Sequence, residues 1–461
     1  MTTRRQVLAL PFSLAAASLV GACATHPFMS DPHPPIVFVH GNGDSAALWQ
    51  TTIWRFESNG WPRERLYAID IPYPTARAED DKPEAGRTST AEQMAYLRSE
   101  VEKVLQATGA KQVVLVGNSR GGYAIRNYIQ NGGGADKVSH AILGGTPNHG
   151  VWNVPGRAPG NEFAGNGPFL QALNAPKDAN GDEVAGPVKW LTLRSDGNDK
   201  YAQPLGTWLG DAKLATGVTY EGPALKGATN LVLPRADHRE TSFSPAAFEA
   251  AYRFITGQAP KTLDIVPEER IALAGKVFGL GVSSTDPASG NMPNDLPLPG
   301  ARLEIFAVDP ATGERRGPAA LTQVIANDGA WGPLTARRDT PYEFVIAADG
   351  YATTHIYRSP FPRSSGIVNL QPERIAASDR SAPSLVLFTR PRGYFDPARD
   401  RMVFDGQSPP PGVLPGAGVS TSRIRPTGPQ RAVVAEFNGE RVVGRNWPAA
   451  NNEVSVLELA Y

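Results

Sequence analysis

Between Pro34 and Gly257, short apolar runs alternate with segments of helical pattern. This alternation constrains the fold more than any other feature of the chain. The runs are IVFVH (36–40), RLYAIDI (65–71), QVVLVG (112–117), HAILGG (140–145), VKWLTL (188–193) and TNLVLP (229–234). They are continuous rather than alternating in polarity, as in strands buried on both faces of a parallel sheet. Between them, Met94, Leu97, Val101, Val104 and Leu105 make one helical stripe behind a Thr90–Gln93 capping-box pattern. Another helix opens at Ser244-Pro245 and closes at Gly257, with Phe248, Tyr252 and Ile255 on one face. Such a succession predicts an α/β domain over residues 34–260.

With 461 residues the chain exceeds one ordinary core, and after Pro260 its character changes. LAGKVFGL, ARLEIFAV, YEFVIAADGYATTHIY and SLVLFT are β-type runs separated by turn residues such as Asp309-Pro310, Gly313 and Pro341. The 42 prolines and 47 glycines fit a turn-rich chain. An all-β, sandwich-like region is expected, as one unit over 262–365 and a second over 366–461. Residues 147–187 break the α/β rhythm. They are rich in Gly, Pro and Asn yet carry Val151, Trp152, Phe163, Phe169, Leu170 and Leu173, which suits either a lid over a site or a surface excursion.

The N-terminus reads as an export signal over 1–23: Arg4-Arg5 precede an apolar run that ends in small residues, like a twin-arginine signal. Pro11 and Ser13 interrupt the run and it is short for a membrane span; an N-terminal anchor is the alternative. Cys23, the chain's only cysteine, stands in Val20-Gly21-Ala22-Cys23, which resembles a bacterial lipobox. Lipidation there would attach the protein to a membrane, whereas ordinary cleavage would remove the cysteine. The expected location is periplasmic or at the cell surface, otherwise secreted, with no disulfide in the folded domains. Forty-five basic residues balance 45 acidic ones, which argues against a nucleic-acid partner. Neither H-E-x-x-H nor C-x-x-C occurs, and HGNGDSA lacks a P-loop ending, so no metal site and no cofactor are expected.

One motif carries chemistry. Gly117-Asn-Ser119-Arg-Gly121 matches G-x-S-x-G, a cheap match in so Gly-rich a chain. Its context decides: QVVLVG precedes it as a buried strand and GGYAIRNYIQ follows as a helix. A serine on that turn stands at the C-terminal sheet edge over a helix N-terminus, whose free N–H groups favour an oxyanion. A serine nucleophile requires a base. His26 and His33 lie near the N-terminus; His40 is suited to anchoring its loop, and His140 and His355 to packing. His149, in GTPNHG, competes, but His238 in LPRADHRETSFSP follows the last strand and is the best candidate. The orienting acid is expected after the strand 188–193, at Asp199 in preference to Asp196. Backbone N–H groups of Arg120 and Asn42 are the expected oxyanion donors.

VHGNG, GNSRG, GGTPNHG and RADHRE occur in the order and spacing of α/β-hydrolase serine lipases and esterases, which this chain resembles over residues 34–257. The appended β region is similar to that of two-domain, archaeal-type lipases, where it helps bind lipid. Its first part also resembles a carboxypeptidase-regulatory, transthyretin-like sandwich. The resemblance implies the α/β-hydrolase fold and cleavage of carboxylic esters (lipid, small ester or polyester) by Ser119, Asp199 and His238 through an acyl-enzyme. Asn42 stands where true lipases usually carry a bulky residue, a departure that bears on long-chain preference. A polyester depolymerase or acyltransferase on the same residues, and a non-catalytic lipid- or glycan-binding surface protein, are the alternatives.

Overall fold

Each of the six apolar runs becomes a strand in the computed structural model, which describes residues 33–281, 292–416, 418–428 and 430–461. The expected export signal and Cys23 lie outside the described residues, as does His26. The strands are β1 (Ile36–Val39), β2 (Leu66–Ile69), β3 (Val113–Asn118), β4 (Val138–Gly144) and β5 (Lys189–Ser195). A small hairpin, β6 (Leu205–Gly206) and β7 (Asp211–Ala215), precedes the sixth, β8 (Thr229–Leu233). All six pair in parallel, in the order β2-β1-β3-β4-β5-β8. The chain runs from β1 outward to β2 and returns on the other side as β3. Strand order therefore reverses between β1 and β3, where open α/β sheets bind their ligands.

The helices are α1 (Gln50–Ser58), α2 (Thr90–Thr108), α3 (Arg120–Asn131), α4 (Pro168–Leu173), α5 (Glu240–Phe243) and α6 (Pro245–Thr256). Alternate residues of each central strand serve different cores. Val37, Val39, Val113 and Leu115 meet Leu97, Val101, Ile125 and Tyr128 of α2 and α3. Ile36, Phe38, Val114 and Val116 meet Trp49, Phe56, Phe248 and Tyr252 on the other side. Burial on both faces is the physical reason for the unbroken apolar runs. β8 is the exception: as an outer strand it has one neighbour, and Leu231 and Val232 are exposed.

Helix α6 opens and closes where expected, at the Ser244 cap and at Gly257, whose φ of 72° suits glycine. The start of α2 is one residue earlier than the Thr90–Gln93 pattern implies. Ser89 is the cap, and its side chain and that of Glu92 exchange bonds with each other's backbone N–H at 3.2 and 2.7 Å. Thr90 is occupied elsewhere, its N–H and hydroxyl both donating to Asp80. A charged Glu acceptor makes the stronger box than a Gln amide.

The C-terminal region is all-β, as expected. Among the described residues its largest sheet runs Leu321–Val324, Arg302–Ala307, Tyr342–Ala347, Thr353–Arg358, Glu453–Glu458, Val386–Thr389 and Thr421–Ile424. The strand Glu453–Glu458 pairs in parallel on both edges, with Thr353–Arg358 and with Val386–Thr389. One sheet thus crosses the boundary placed between 365 and 366, so that boundary does not separate two β units. Val454 and Val456 enter one core and Leu457 another, so the last strand is interior to both. The antiparallel pair Ile271–Lys276 and Ala330–Ala336 covers one face, and Met402–Phe404, Ala432–Phe437 and Glu440–Arg445 cover the other.

The α/β and β regions belong to one compact unit, His33–Tyr461. Trp54 of α1 packs into the β region: its ring meets Phe361 in the β core and its indole N–H donates to the Ser364 carbonyl at 2.8 Å.

Candidate active site

Ser119 joins β3 to α3 with φ 52° and ψ −121°, a backbone conformation sparsely populated outside glycine. The surrounding close packing over-determines it. A side chain at Gly117 would lie 2.6 Å from Ile125 Cδ1, and one at Gly121 would meet the carbonyls of Val39 and His40. Gly117 therefore lets α3 fold back against β3, and Gly121 lets the elbow sit directly on the end of β1. Ser119 N–H donates to the Gly144 carbonyl at 2.9 Å, fixing the turn to β4 as well.

His238 follows β8 and Asp199 follows β5, and the structure brings the two together. His238 Nδ1 lies 2.8 Å from Asp199 Oδ2, with both side chains nearly buried. The other carboxylate oxygen of Asp199 accepts the Tyr201 N–H at 2.9 Å. Asp196 is directed elsewhere and accepts the Arg235 N–H at 2.7 Å. The competing His149 pairs with Glu183 at 2.9 Å. His40 is fully buried, accepting the Ile71 N–H at Nε2 and bonded to the Gly41 carbonyl at Nδ1. That arrangement uses the neutral ring, and burial lowers its pKa accordingly. His355 pairs with Glu343 and stacks on Trp447, and His140 packs on Phe254. His33 packs on Trp61.

Ser119 and His238 line one cavity of about 200 Å³ together with Asn42. The loop carrying Asn42 is close to the elbow: a side chain at Gly41 would lie 3.0 Å from Ser119 Cβ. Asn42 Oδ1 accepts the Ala76 N–H at 2.7 Å and holds the loop. Arg120 begins α3, so its N–H belongs to the first helical turn, which has no intrahelical acceptor. Its side chain turns inward to Glu162, Pro74 and Thr88. Pro147, Val151, Trp152 and Phe163, all from the segment 147–187, form part of the cavity wall.

Several residues of the site carried no sequence signal. Asn118, the unassigned residue of the motif, donates to the His238 carbonyl and to Ser242 Oγ, tying the elbow to the histidine loop. Tyr201 packs edge-on to the His238 ring with centroids 4.5 Å apart. Arg239 pairs with Asp44. The β region contributes directly: Asp237 Oδ2 accepts both Arg390 Nη1 at 3.0 Å and the Tyr394 N–H at 2.7 Å, and Tyr394 lines the Ser119 cavity. Arg390 and Arg399 both reach Glu240. Lys200 donates to the Gly418 carbonyl at 2.8 Å, and burial with Arg239 nearby brings its pKa down to about 8. Among the described residues no cluster of His, Cys, Asp and Glu is arranged to hold a metal ion.

A parallel α/β sheet with a serine on a strained strand–helix turn, followed by a β-rich region, is the arrangement of the α/β-hydrolase fold. Residues 33–154 match the lipase (class 2) family, and residues 269–375 match the lipase C-terminal domain. Solved structures resemble it distantly. A Bacillus licheniformis lipase in its propeptide form is 14% identical, over 90% of this chain and 93% of that one, with a TM-score of 0.36. Lipase B of Aspergillus fumigatus is 15% identical over 52% of this chain, which spans 56% of that one, with a TM-score of 0.34. A Bacillus subtilis carboxylesterase is 16% identical, over 49% of this chain and 85% of that one, with a TM-score of 0.28.

Proposed function

We propose that Ser119 is the nucleophile of an exported carboxylic ester hydrolase, with His238 as its base and Asp199 as the acid that orients the histidine. The observation that carries this reading is the shared cavity of Ser119 and His238, with Asp199 2.8 Å behind the imidazole. The Asp199 carboxylate accepts the Nδ1 proton, which leaves Nε2 as the basic nitrogen. Ser119 Oγ attacks the ester carbonyl as its proton passes to His238. The oxyanion so formed lies against the Asn42 and Arg120 backbone N–H groups. Collapse breaks the bond to the alcohol oxygen, which takes the proton from His238. Water then adds to the acyl-enzyme with His238 again as base, and the acid departs.

Substitution Ser119→Ala tests this. It removes the attacking oxygen, and loss of such a nucleophile costs about 10⁶-fold in kcat. The expected result is near-complete loss of ester hydrolysis and of fluorophosphonate labelling, with the thermal transition retained. Turnover close to that of the unaltered enzyme would exclude Ser119 as nucleophile. Export and lipidation at Cys23 are part of the same proposal and rest on the sequence of residues 1–23. Fractionation of cells making Cys23→Ala should move the protein out of the membrane fraction; unchanged partition would count against lipidation.

A further inference from the structure

Among the described residues, Tyr394 is the one cavity-wall residue of the Ser119 site that comes from the C-terminal β region. It is almost fully buried and held from several sides. Its N–H donates to Asp237, the neighbour of His238, and its carbonyl accepts Arg390 Nη1 at 2.5 Å. Its ring lies under two cations, Lys200 Nζ at 4.2 Å and the Arg239 guanidinium at 5.1 Å. A ring clamped in this way is a rigid wall rather than a movable flap. The remaining apolar wall includes Pro147, Val151, Trp152, Phe163 and Trp208.

The cavity is small. About 200 Å³ falls below the ~300–1,000 Å³ usual for sites that hold drug-sized ligands. During acyl transfer the alcohol leaves while the acyl group stays bonded to the serine, so the walls beside Ser119 meet the acyl group throughout the reaction. We propose that Tyr394 limits the size of that group and that the enzyme prefers esters of short acids to those of long ones. This rests on the assignment of Ser119 as nucleophile. The β region then acts in acyl selection at the reacting serine.

The full-length enzyme and its Tyr394→Ala, Tyr394→Phe and Tyr394→Trp variants are compared on p-nitrophenyl esters from acetate to decanoate. The unaltered enzyme should favour butanoate over decanoate in kcat/KM. Removing the ring in Tyr394→Ala should raise the decanoate-to-butanoate ratio about tenfold, within the range that single hydrophobic pocket contacts achieve. Tyr394→Phe keeps the ring and should keep the ratio, whereas Tyr394→Trp enlarges it and should lower the ratio. If Tyr394→Ala does not fold, the Trp variant decides. A flat profile in the unaltered enzyme, or an unmoved ratio in the folded size variants, overturns the inference. Fluorophosphonate labelling of Ser119 separates the two proposals: labelling with an unmoved ratio sinks acyl selection alone, and absent labelling removes both.

Discussion

Arg120 meets Glu162 in a fork-to-fork ion pair, Nε to Oε1 and Nη2 to Oε2 both at 2.7 Å, with neither side chain exposed. The remaining donors go to the Pro74 carbonyl, the Thr88 hydroxyl and the Thr88 carbonyl. All five N–H groups of the guanidinium are thus engaged within the protein, so its side chain holds structure and does not contact substrate. The pair fastens the residue after the serine to the segment 147–187, whose Trp152 and Phe163 wall the cavity. That segment is anchored at the elbow.

Removing one partner leaves a buried charge without its counterion, which typically costs about 3–5 kcal/mol. Glu162→Ala should therefore lower stability by that order in urea unfolding. Arg120→Lys should fail to compensate, because a point charge cannot fill a five-donor fork. Near-unchanged unfolding midpoints for both variants would show that the segment is held by other contacts.

Asp199 and Asp196 are distinguished by what they touch, His238 in one case and the Arg235 N–H in the other. An amide at the orienting position stabilises the wrong imidazole tautomer, a change that lowers kcat about 10⁴-fold in serine proteases. Asp199→Asn should show a loss of that order in an esterase assay. Asp196→Asn should stay within a few-fold of the unaltered enzyme, since it weakens a single turn bond. The reverse ranking would reassign the acid.

The residues proposed as catalytic could be placed from the sequence because each sits at the end of a strand that the apolar runs reveal. Ser119, Asp199 and His238 follow β3, β5 and β8, and a parallel sheet brings such ends to one edge. What the sequence concealed is held by partners distant along the chain. Asp237 stands beside His238 in plain view, yet its partners Arg390 and Tyr394 lie about 150 residues further on. Glu162 is a lone acid in a Gly- and Asn-rich stretch. The final strand reads as part of a separate unit because parallel pairing with Thr353–Arg358 leaves no local turn signal. The one-residue error at α2 came from two adjacent capping patterns, settled by Asp80 occupying Thr90.

The β region also supports the histidine loop through charge. Arg390 bridges Asp237 and Glu240, two carboxylates that flank His238 and Arg239. Burial, and then repulsion from Asp237, push the Glu240 pKa up. Arg390→Met would leave both acids facing each other without that cation and should loosen the loop. Reduced kcat is expected on an acetate ester as much as on a long-chain ester, together with a lower melting temperature. Were the β region to serve lipid binding alone, the acetate rate would be spared.

Asp295 gives the stability a pH dependence. Its Oδ2 is buried without a hydrogen-bond partner among the described residues, 3.8 Å from His40 Nε2. Burial and then the neighbouring Asp70 and Asp44 hold its pKa well above the ordinary carboxylate range. The folded state consequently retains a proton that the unfolded chain releases near its ordinary pKa of about 3.9. Over that interval the folded state binds more protons, so stability falls as pH rises from the unfolded pKa toward the folded one. Asp295→Asn keeps the shape and cannot ionise, which removes this loss. The variant should match the unaltered protein in melting temperature at acidic pH and exceed it increasingly as pH rises toward neutrality. Parallel melting curves across that range would mean that Asp295 is ionised in the folded protein.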